Sequence, residues 1–394
     1  MSRRPPIFQH VILISGLLLI GINLRPAITA VGPLAERLRL DGLSVGMIGA
    51  LTTVPLILFA VVGFFTGWIG RKLGFARTLG AGILVAAAGC FVRSIPGPEI
   101  WLVLGTVLIG AGIAVGNVLL PGIVKSRFPN HVGLLTSLYS TAMNLGAAFG
   151  IAFAVPMADK LSGGWRWSLG FWGIFAVVSL IFWMPQMLKR PEQRSTGNLF
   201  GPVLALAREK IARYVTLHMG VQSMVFYSII AWLPTVLQWR GMEEAGAAYW
   251  VAGMQIIGCV ASLIVPTLAG RAKSQGGWCA ASALCSAFGL TGILFLNGPW
   301  IGASVLLLGV GLNASFGLSL LLIAMRSENA ETAAGLSSLA QAAGYLFAAP
   351  GPWLVGSLFA VFSSWIPAVG LIIFLVVCVA VFGFLAGRSG TVTQ

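Results

Sequence analysis

Residues 11–34 read VILISGLLLIGINLRPAITAVGPL, a run whose single charge is Arg25. A helix rising 1.5 Å per residue needs about 20 mostly apolar residues to cross a hydrocarbon layer, and this run is longer than that. It lacks the apolar–polar alternation of a barrel strand, which would also end after about ten residues. Eleven comparable runs follow it, separated by short polar stretches such as 71–77, 125–131 and 271–277. The expected spans are 8–34, 44–70, 78–94, 100–124, 132–157, 166–187, 213–238, 246–270, 278–296, 300–325, 333–356 and 365–387. The expected fold is an all-α polytopic membrane protein with twelve transmembrane helices.

Composition agrees. Of 394 residues, 58% are hydrophobic and 9% charged, against about 25% charged in soluble domains. This excludes a soluble enzyme, a disordered chain and a nucleic-acid-binding domain. The expected surroundings are a lipid bilayer, with no nucleic-acid partner. The five cysteines (Cys90, Cys259, Cys279, Cys285, Cys378) are scattered through apolar runs without a CxxC pair and read as small hydrophobes. His10, His131 and His218 are far apart, so neither a metal site nor a cofactor is expected. No nucleophile–base constellation within the spans suggests a membrane enzyme. Arg3 and Arg4 precede the first run, which continues without a small-residue cleavage site and reads as an uncleaved helix.

Basic residues set the expected orientation. With the N-terminus inside, the inner segments hold seventeen Lys and Arg, the outer segments six (Arg37, Arg39, Arg93, Lys160, Arg166, Arg240), and Arg25 remains. Both termini are therefore expected on the cytoplasmic side, and the +14 net charge is explained by anchoring of the inner loops. The polar stretch beginning KRPEQRSTGN at Lys189 divides the chain. The expected domains are an N-terminal six-helix bundle, 1–187, a cytoplasmic central loop, 188–212, and a C-terminal six-helix bundle, 213–394.

The halves look duplicated at an offset near 200 residues. Gly70-Arg71 matches Gly270-Arg271, Leu145–Gly150 matches Leu346–Gly351, and Gly110, Gly112 and Gly116 match Gly309, Gly311 and Gly317. Duplicated bundles of this kind place a substrate site between their halves near the midplane.

All ten acidic residues fall in loops or at helix ends. Arg25 is the exception among charges, lying roughly 22 and 16 Å from the ends of its span at 1.5 Å per residue. That exceeds the reach of a snorkelling side chain, and a lone arginine at such depth costs at least about 2.5–3.5 kcal/mol. Two readings stand. Carbonyls near Pro26, which cannot donate to residue 22, satisfy it; or its five fixed donors await an anionic substrate.

Other polar residues stand in spans expected to line the cavity: Asn23 and Thr29 beside Arg25, Asn117, Tyr139, Asn144, Gln222, Ser223, Tyr227, Asn313, Gln341 and Tyr345. Each is either interhelical glue or a ligand contact. Together, mostly neutral donors with one cation suit a small, planar, weakly hydrated anion better than a metal ion, which wants clustered carboxylates. Pro26 and Pro121 read as structural or gating residues, and Trp232 as an aromatic gate or an interfacial anchor. Proton-driven carriers relay protons through Asp, Glu or His, and His218 is the available candidate; facilitated flux or exchange is the other reading.

The stretch GWIGRKLGFAR (67–77) resembles the conserved loop motif of the major facilitator superfamily, with Arg71 where that motif usually has Asp. Five blocks, NLRPAITAVGPL (23–34), GNVLLPGIVKSRFP (116–129), GWRWSLGFW (164–172), QSMVFYSIIAWLPTVLQ (222–238) and SSLAQAAGYLFAAPGP (337–352), together resemble the cyanate and 2-nitroimidazole transporter branch of that superfamily. The resemblance covers nearly the whole chain. It implies the superfamily fold, with spans one, four, seven and ten around a central cavity, and a small solute: a cyanate-like monoanion or a nitroimidazole-like aromatic. The expected protein is a monomeric secondary transporter of the bacterial inner membrane that moves a small monovalent anion such as cyanate by alternating access. The alternatives are an exporter of nitroaromatics and, in another class, a channel or a non-transporting receptor.

Overall fold

The computed structural model describes residues 7–188, 201–388 and 390–392; most of the central loop, 189–200, lies outside them, as do Arg3 and Arg4. Among the described residues, twelve helical segments are long and apolar enough to cross a membrane: Val11–Leu34, Thr53–Leu73, Phe75–Val92, Glu99–Arg127, Pro129–Lys160, Gly164–Met187, Lys210–Trp239, Tyr249–Ala269, Gly276–Phe295, Pro299–Met325, Ala330–Phe362 and Trp365–Ala386. They are called spans one to twelve below. The expected spans all appear, several of them longer than their apolar runs because polar residues at the ends continue the helix. Large apolar side chains such as Leu84, Ile181, Phe288 and Phe374 are exposed, which is the surface a bilayer solvates. Span ten is the most enclosed, with 83% of its most apolar stretch buried, followed by spans four and seven at 67%.

Local chemistry sets several helix ends. Ser44 caps the helix that leads into span two, accepting from Met47 N at 3.1 Å. Asn329 caps span eleven, accepting from Glu331 N at 2.9 Å and Thr332 N at 3.0 Å, so that donors at the helix start are satisfied. Spans two and three meet at Gly74, whose φ of +90° is a conformation that glycine adopts without strain.

Spans one and eleven are interrupted, where the sequence suggests continuous helices. Span one is helical over Ile7–Asn23, turns at Leu24 and Arg25, and resumes at Pro26–Thr29. Span eleven breaks between Ala348 and Gly351, at Pro350. Proline fits the first turn of a new helix and cannot bond the carbonyl four residues back. Other prolines, including Pro55, Pro121, Pro234 and Pro266, remain inside unbroken helices.

By contacts the chain divides into two units. One comprises Met1–Ile123 with Ala142–Leu199, the other Val124–Thr141 with Phe200–Gln394. Within the second unit, Val124–Thr141 is held to span eight: Thr141 Oγ1 lies 3.1 Å from Ser262 Oγ, and Thr267 Oγ1 donates to Ser137 Oγ at 2.8 Å.

The two units repeat the same glycine contacts. In the first, a Cβ at Gly89 would press on Gly105 O and Ile109 N, both at 2.7 Å; in the second, one at Gly289 would press on Ser304 O and Leu308 N, both at 2.7 Å. Gly112 meets Gly82 O and Ala86 N as Gly311 meets Ser282 O and Ser286 N. Spans three and four, and again nine and ten, are therefore in backbone contact, as small residues permit. For Gly112 and Gly311 the offset seen in the sequence is thus an offset between equivalent contacts, whereas Gly116 meets Leu24 of span one and Gly317 meets Pro266 of span eight.

The second unit also folds back its last residues. Arg326, after span ten, donates to Gly387 O at 3.1 Å and Gly390 O at 3.2 Å, and also to Gln275 Oε1. Val392 N donates to Arg326 O at 2.7 Å, and Val392 is buried.

Candidate functional site

Each unit contains its own polar cluster. In the first it is built around the interruption of span one. Arg25 is buried, with 9% of its surface exposed, and its carbonyl accepts from Ile28 N at 3.0 Å and Thr29 N at 3.1 Å, starting the next short helix. Asn23, just before the turn, donates from Nδ2 to Ser179 Oγ of span six at 3.0 Å, and Ser179 itself donates to Phe175 O at 2.9 Å. Thr29 Oγ1 donates to Ala147 O of span five at 3.0 Å. Leu24 packs where a side chain at Gly116 would lie, next to buried Asn117. Pro121 cannot bond the Asn117 carbonyl, so that residue offers a backbone acceptor as well as its amide. Asn144 is buried in span five.

The cluster in the second unit lies between spans seven and eleven. Gly220 and Gly344 bring these helices together: a Cβ at Gly220 would sit 3.0 Å from Gly344 Cα. Close approach sets the Tyr227 and Tyr345 rings 6.3 Å apart at 56°, within the range of favourable aromatic pairs. Ser223 shares the Tyr227 face at four-residue spacing and donates to Gln222 Oε1 at 3.4 Å. Gln341, one turn before Tyr345, is buried. This arrangement joins Ser223, Tyr227, Gln341 and Tyr345, with Gln222 beside them.

Four residues singled out from the sequence lie elsewhere. Asn313 is turned to span eight, against Gly258, and its Nδ2 donates to Gly309 O at 3.0 Å. Tyr139, buried, belongs to the stretch of span five that packs with span eight. Trp232 donates to Pro352 O at 2.7 Å, lies against Gly356 and packs on Trp365, with ring centroids 5.4 Å apart. His218 faces spans nine and twelve. It is fully buried, with Nδ1 3.1 Å from Val379 O and the ring against Gly383. Nine residues at about 100° each put His218 and Tyr227 on opposite sides of span seven.

Two further buried cations carry no mark in the sequence. Arg93 is 1% exposed and donates to Leu169 O at 3.1 Å; Arg326 is 5% exposed and holds the chain end. Burial pulls both guanidinium groups below the ordinary arginine range by penalising the charged form. Carboxylates at the loops are taken up locally: Asp159 pairs with Arg37 at 2.6 Å, and Asp41 accepts from Trp165 Nε1. Among the described residues, no three His, Cys, Asp or Glu gather where they could hold a metal ion.

Two helical units with repeated internal contacts and a polar cluster in each are the anatomy of a duplicated transporter. The sequence profile of the Major Facilitator Superfamily matches residues 13–349. The chain belongs to this superfamily. The transporter is 40% identical over 384 residues to the uncharacterized transporter YycB of Bacillus subtilis (strain 168), covering 97% of this chain and 95% of that one. It is 37% identical over 384 residues to the 2-nitroimidazole transporter of Escherichia coli (strain K12), covering 97% and 96%. It is 26% identical over 343 residues to the cyanate transport protein CynX of the same strain, covering 87% and 88%. Its fold matches the E. coli fucose:proton symporter FucP with a TM-score of 0.77 at 16% identity, over 98% of this chain and 100% of that one. The transporter is an integral membrane protein, and its family and relatives move solutes without transforming them.

Proposed function

We propose that the transporter carries a small, planar, singly charged anion such as cyanate across the bacterial inner membrane by alternating access. The observation that carries this reading is Arg25, a buried guanidinium at the interruption of span one, in a chain whose spans hold no acidic residue away from their ends. An anion that binds there neutralises a charge that is costly inside a membrane. Guanidinium presents a planar fork of donors that fits such a ligand. Asn117, Gln222, Tyr227 and Tyr345 supply directional hydrogen bonds, and Ser223 and Gln341 support them. Asn23 and Thr29, already bonded to spans six and five, hold the region around Arg25, while His218 and Trp232 serve packing. Residues 1–187 and 213–394 act as the two bodies of the cycle, joined by 188–212, with both termini cytoplasmic and a monomer as the working unit.

A second reading has a specific observation in its favour. The relative named as a 2-nitroimidazole transporter is more similar to this chain than the one named for cyanate, and the Tyr227–Tyr345 pair offers π faces to a flat ring. There Arg25 binds the nitro group. Counterflow in proteoliposomes separates the two. Cyanate trans-stimulation that disappears in Arg25→Ala supports the first reading; stimulation by 2-nitroimidazole alone supports the second. Saturable exchange of either solute excludes a channel or a non-transporting receptor.

A further inference from the structure

The side-chain hydrogen bonds that anchor the two halves of span one fall on different helices, and Arg25 stands at the joint. The first half rests on span six: Asn23 Nδ2 bonds Ser179 Oγ at 3.0 Å, Ser179 Oγ also reaches Leu19 O at 3.3 Å, and Gly16 admits Trp183. The second half rests on span five. Thr29 Oγ1 bonds Ala147 O at 3.0 Å, and a Cβ at Gly150 would lie 2.8 Å from Pro26 Cα and 2.9 Å from Pro26 O. Beyond it, the Arg37–Asp159 pair at 2.6 Å ties the following short helix, Ala35–Leu40, to the far end of span five.

The interruption has a specific chemical consequence. Pro26 cannot bond the carbonyl of Ile22. Gly146 of span five lies over that carbonyl, so closely that a Cβ on Gly146 would overlap its oxygen. The glycine hydrogen in that position points at the oxygen, which is the arrangement of a Cα–H···O contact between helices. Any side chain at 146 would push Ile22 aside, and with it the turn at Leu24 and Arg25.

The geometry points to Gly146, Gly150 and Thr29 as positioning residues that set the depth and direction of Arg25. Gly146 meets the backbone before the interruption at Ile22, Gly150 meets it after the interruption at Pro26, and Thr29 ties that second part to Ala147 O of span five. The inference rests on the proposed role of Arg25 for its transport consequence, but not for its geometric content.

Two measurements on the full-length protein in proteoliposomes separate these. The first is the labelling rate of Arg25→Cys, in a chain with its five native cysteines replaced, by a small charged methanethiosulfonate. The second is the KM and maximal rate of cyanate and 2-nitroimidazole uptake with Arg25 intact. Gly146→Ala is the main variant, and Thr29→Val is a milder one that adds no volume. Gly289→Ala is the control, since it opposes backbone of span ten in the same way but belongs to the other unit. Gly146→Ala and Thr29→Val are expected to change the labelling rate and to raise KM about tenfold, the scale of a misplaced binding group, with the maximal rate per folded protein kept. Gly289→Ala is expected to lower thermal stability and leave labelling and KM unchanged. A changed labelling rate with unchanged KM upholds the positioning and removes Arg25 from solute recognition. An unchanged labelling rate in Thr29→Val, or in a folded Gly146→Ala, overturns the inference.

Discussion

The His218 imidazole fills the space above Gly383, where a Cβ would lie 2.8 Å from both its Cε1 and its Nδ1. In the first half the same contact runs the other way. Gly16 stands 202 positions before His218, Trp183 stands 200 before Gly383, and there the glycine of span one makes room for the large ring of span six, at 3.1 Å. The Nδ1–H donates to Val379 O, which fixes the tautomer, because a carbonyl only accepts. His218 therefore has the environment of a packing residue, in a contact that the first half fills with Trp183 from the opposite helix.

If His218 packs rather than relays protons, His218→Gln keeps the pH profile of uptake and lowers only the melting temperature. His218→Ala empties the contact and costs about 2–4 kcal/mol, in the range of large-to-small core changes. Uptake measured from about pH 5 to 8, the range in which histidine ordinarily titrates, checks this; a displaced or flattened profile in the Gln variant restores His218 as a coupling group.

Gly383→Ala is expected to destabilise by about 1–3 kcal/mol through overpacking, because Cys279 Cβ at 2.6 Å closes the other side. Combining it with His218→Ala should recover part of that loss, since the two changes compete for one volume. Thermal melts of the two singles and the double decide it, and simple additivity would count against the shared contact.

Arg326 is expected to be intolerant of lysine. Its planar fork reaches Gly387 O, Gly390 O and Gln275 together, whereas an ammonium concentrates its donors at one point. Arg326→Lys should cost about 1.5–3 kcal/mol, as for a lost hydrogen bond to a charged group, and make the segment 387–392 more susceptible to limited proteolysis, with uptake KM unchanged. Equal digestion rates for wild type and variant would refute the clasp.

Tyr345→Ala separates the candidate solutes. A ring that pairs with Tyr227 at 6.3 Å has a face to offer an aromatic guest, whereas a linear triatomic anion would meet only its hydroxyl, a single neutral hydrogen bond. The variant is expected to raise KM for 2-nitroimidazole about tenfold, the loss of one stacking contact, and to change that for cyanate by less than about threefold. Parallel losses for both would show that Tyr345 only supports the helix pair.

Much of the architecture was legible in the sequence because crossing a bilayer imposes a length and a composition on each segment separately. The twelve runs, the short break at 71–77 between spans two and three, and the offset linking Gly112 to Gly311 all follow from local pattern. What was not legible depends on partners distant in the chain. Asn23 reads as a ligand contact until Ser179, 156 residues away, is placed beside it. Asn313 is likewise turned against Gly258 and Trp232 is engaged by Pro352. Pro26 and Pro350 break their helices while Pro55 and Pro121 do not, a difference set by the packing around each. Arg93 reads as an outer cation at the end of the expected span 78–94, yet it is buried against span six.

The interruptions fall on non-equivalent helices: span one in the first half, span eleven in the second. The matching contacts at Gly150 and Gly351 thus join a broken helix to an intact one in each half, with the roles exchanged. A pair of identical subunits could not reproduce this, because each would bring its own guanidinium and neither would bring a proline-split eleventh helix. Within one polypeptide the halves are free to differ, so the guanidinium at the interruption of span one needs no counterpart at 225–227 of span seven.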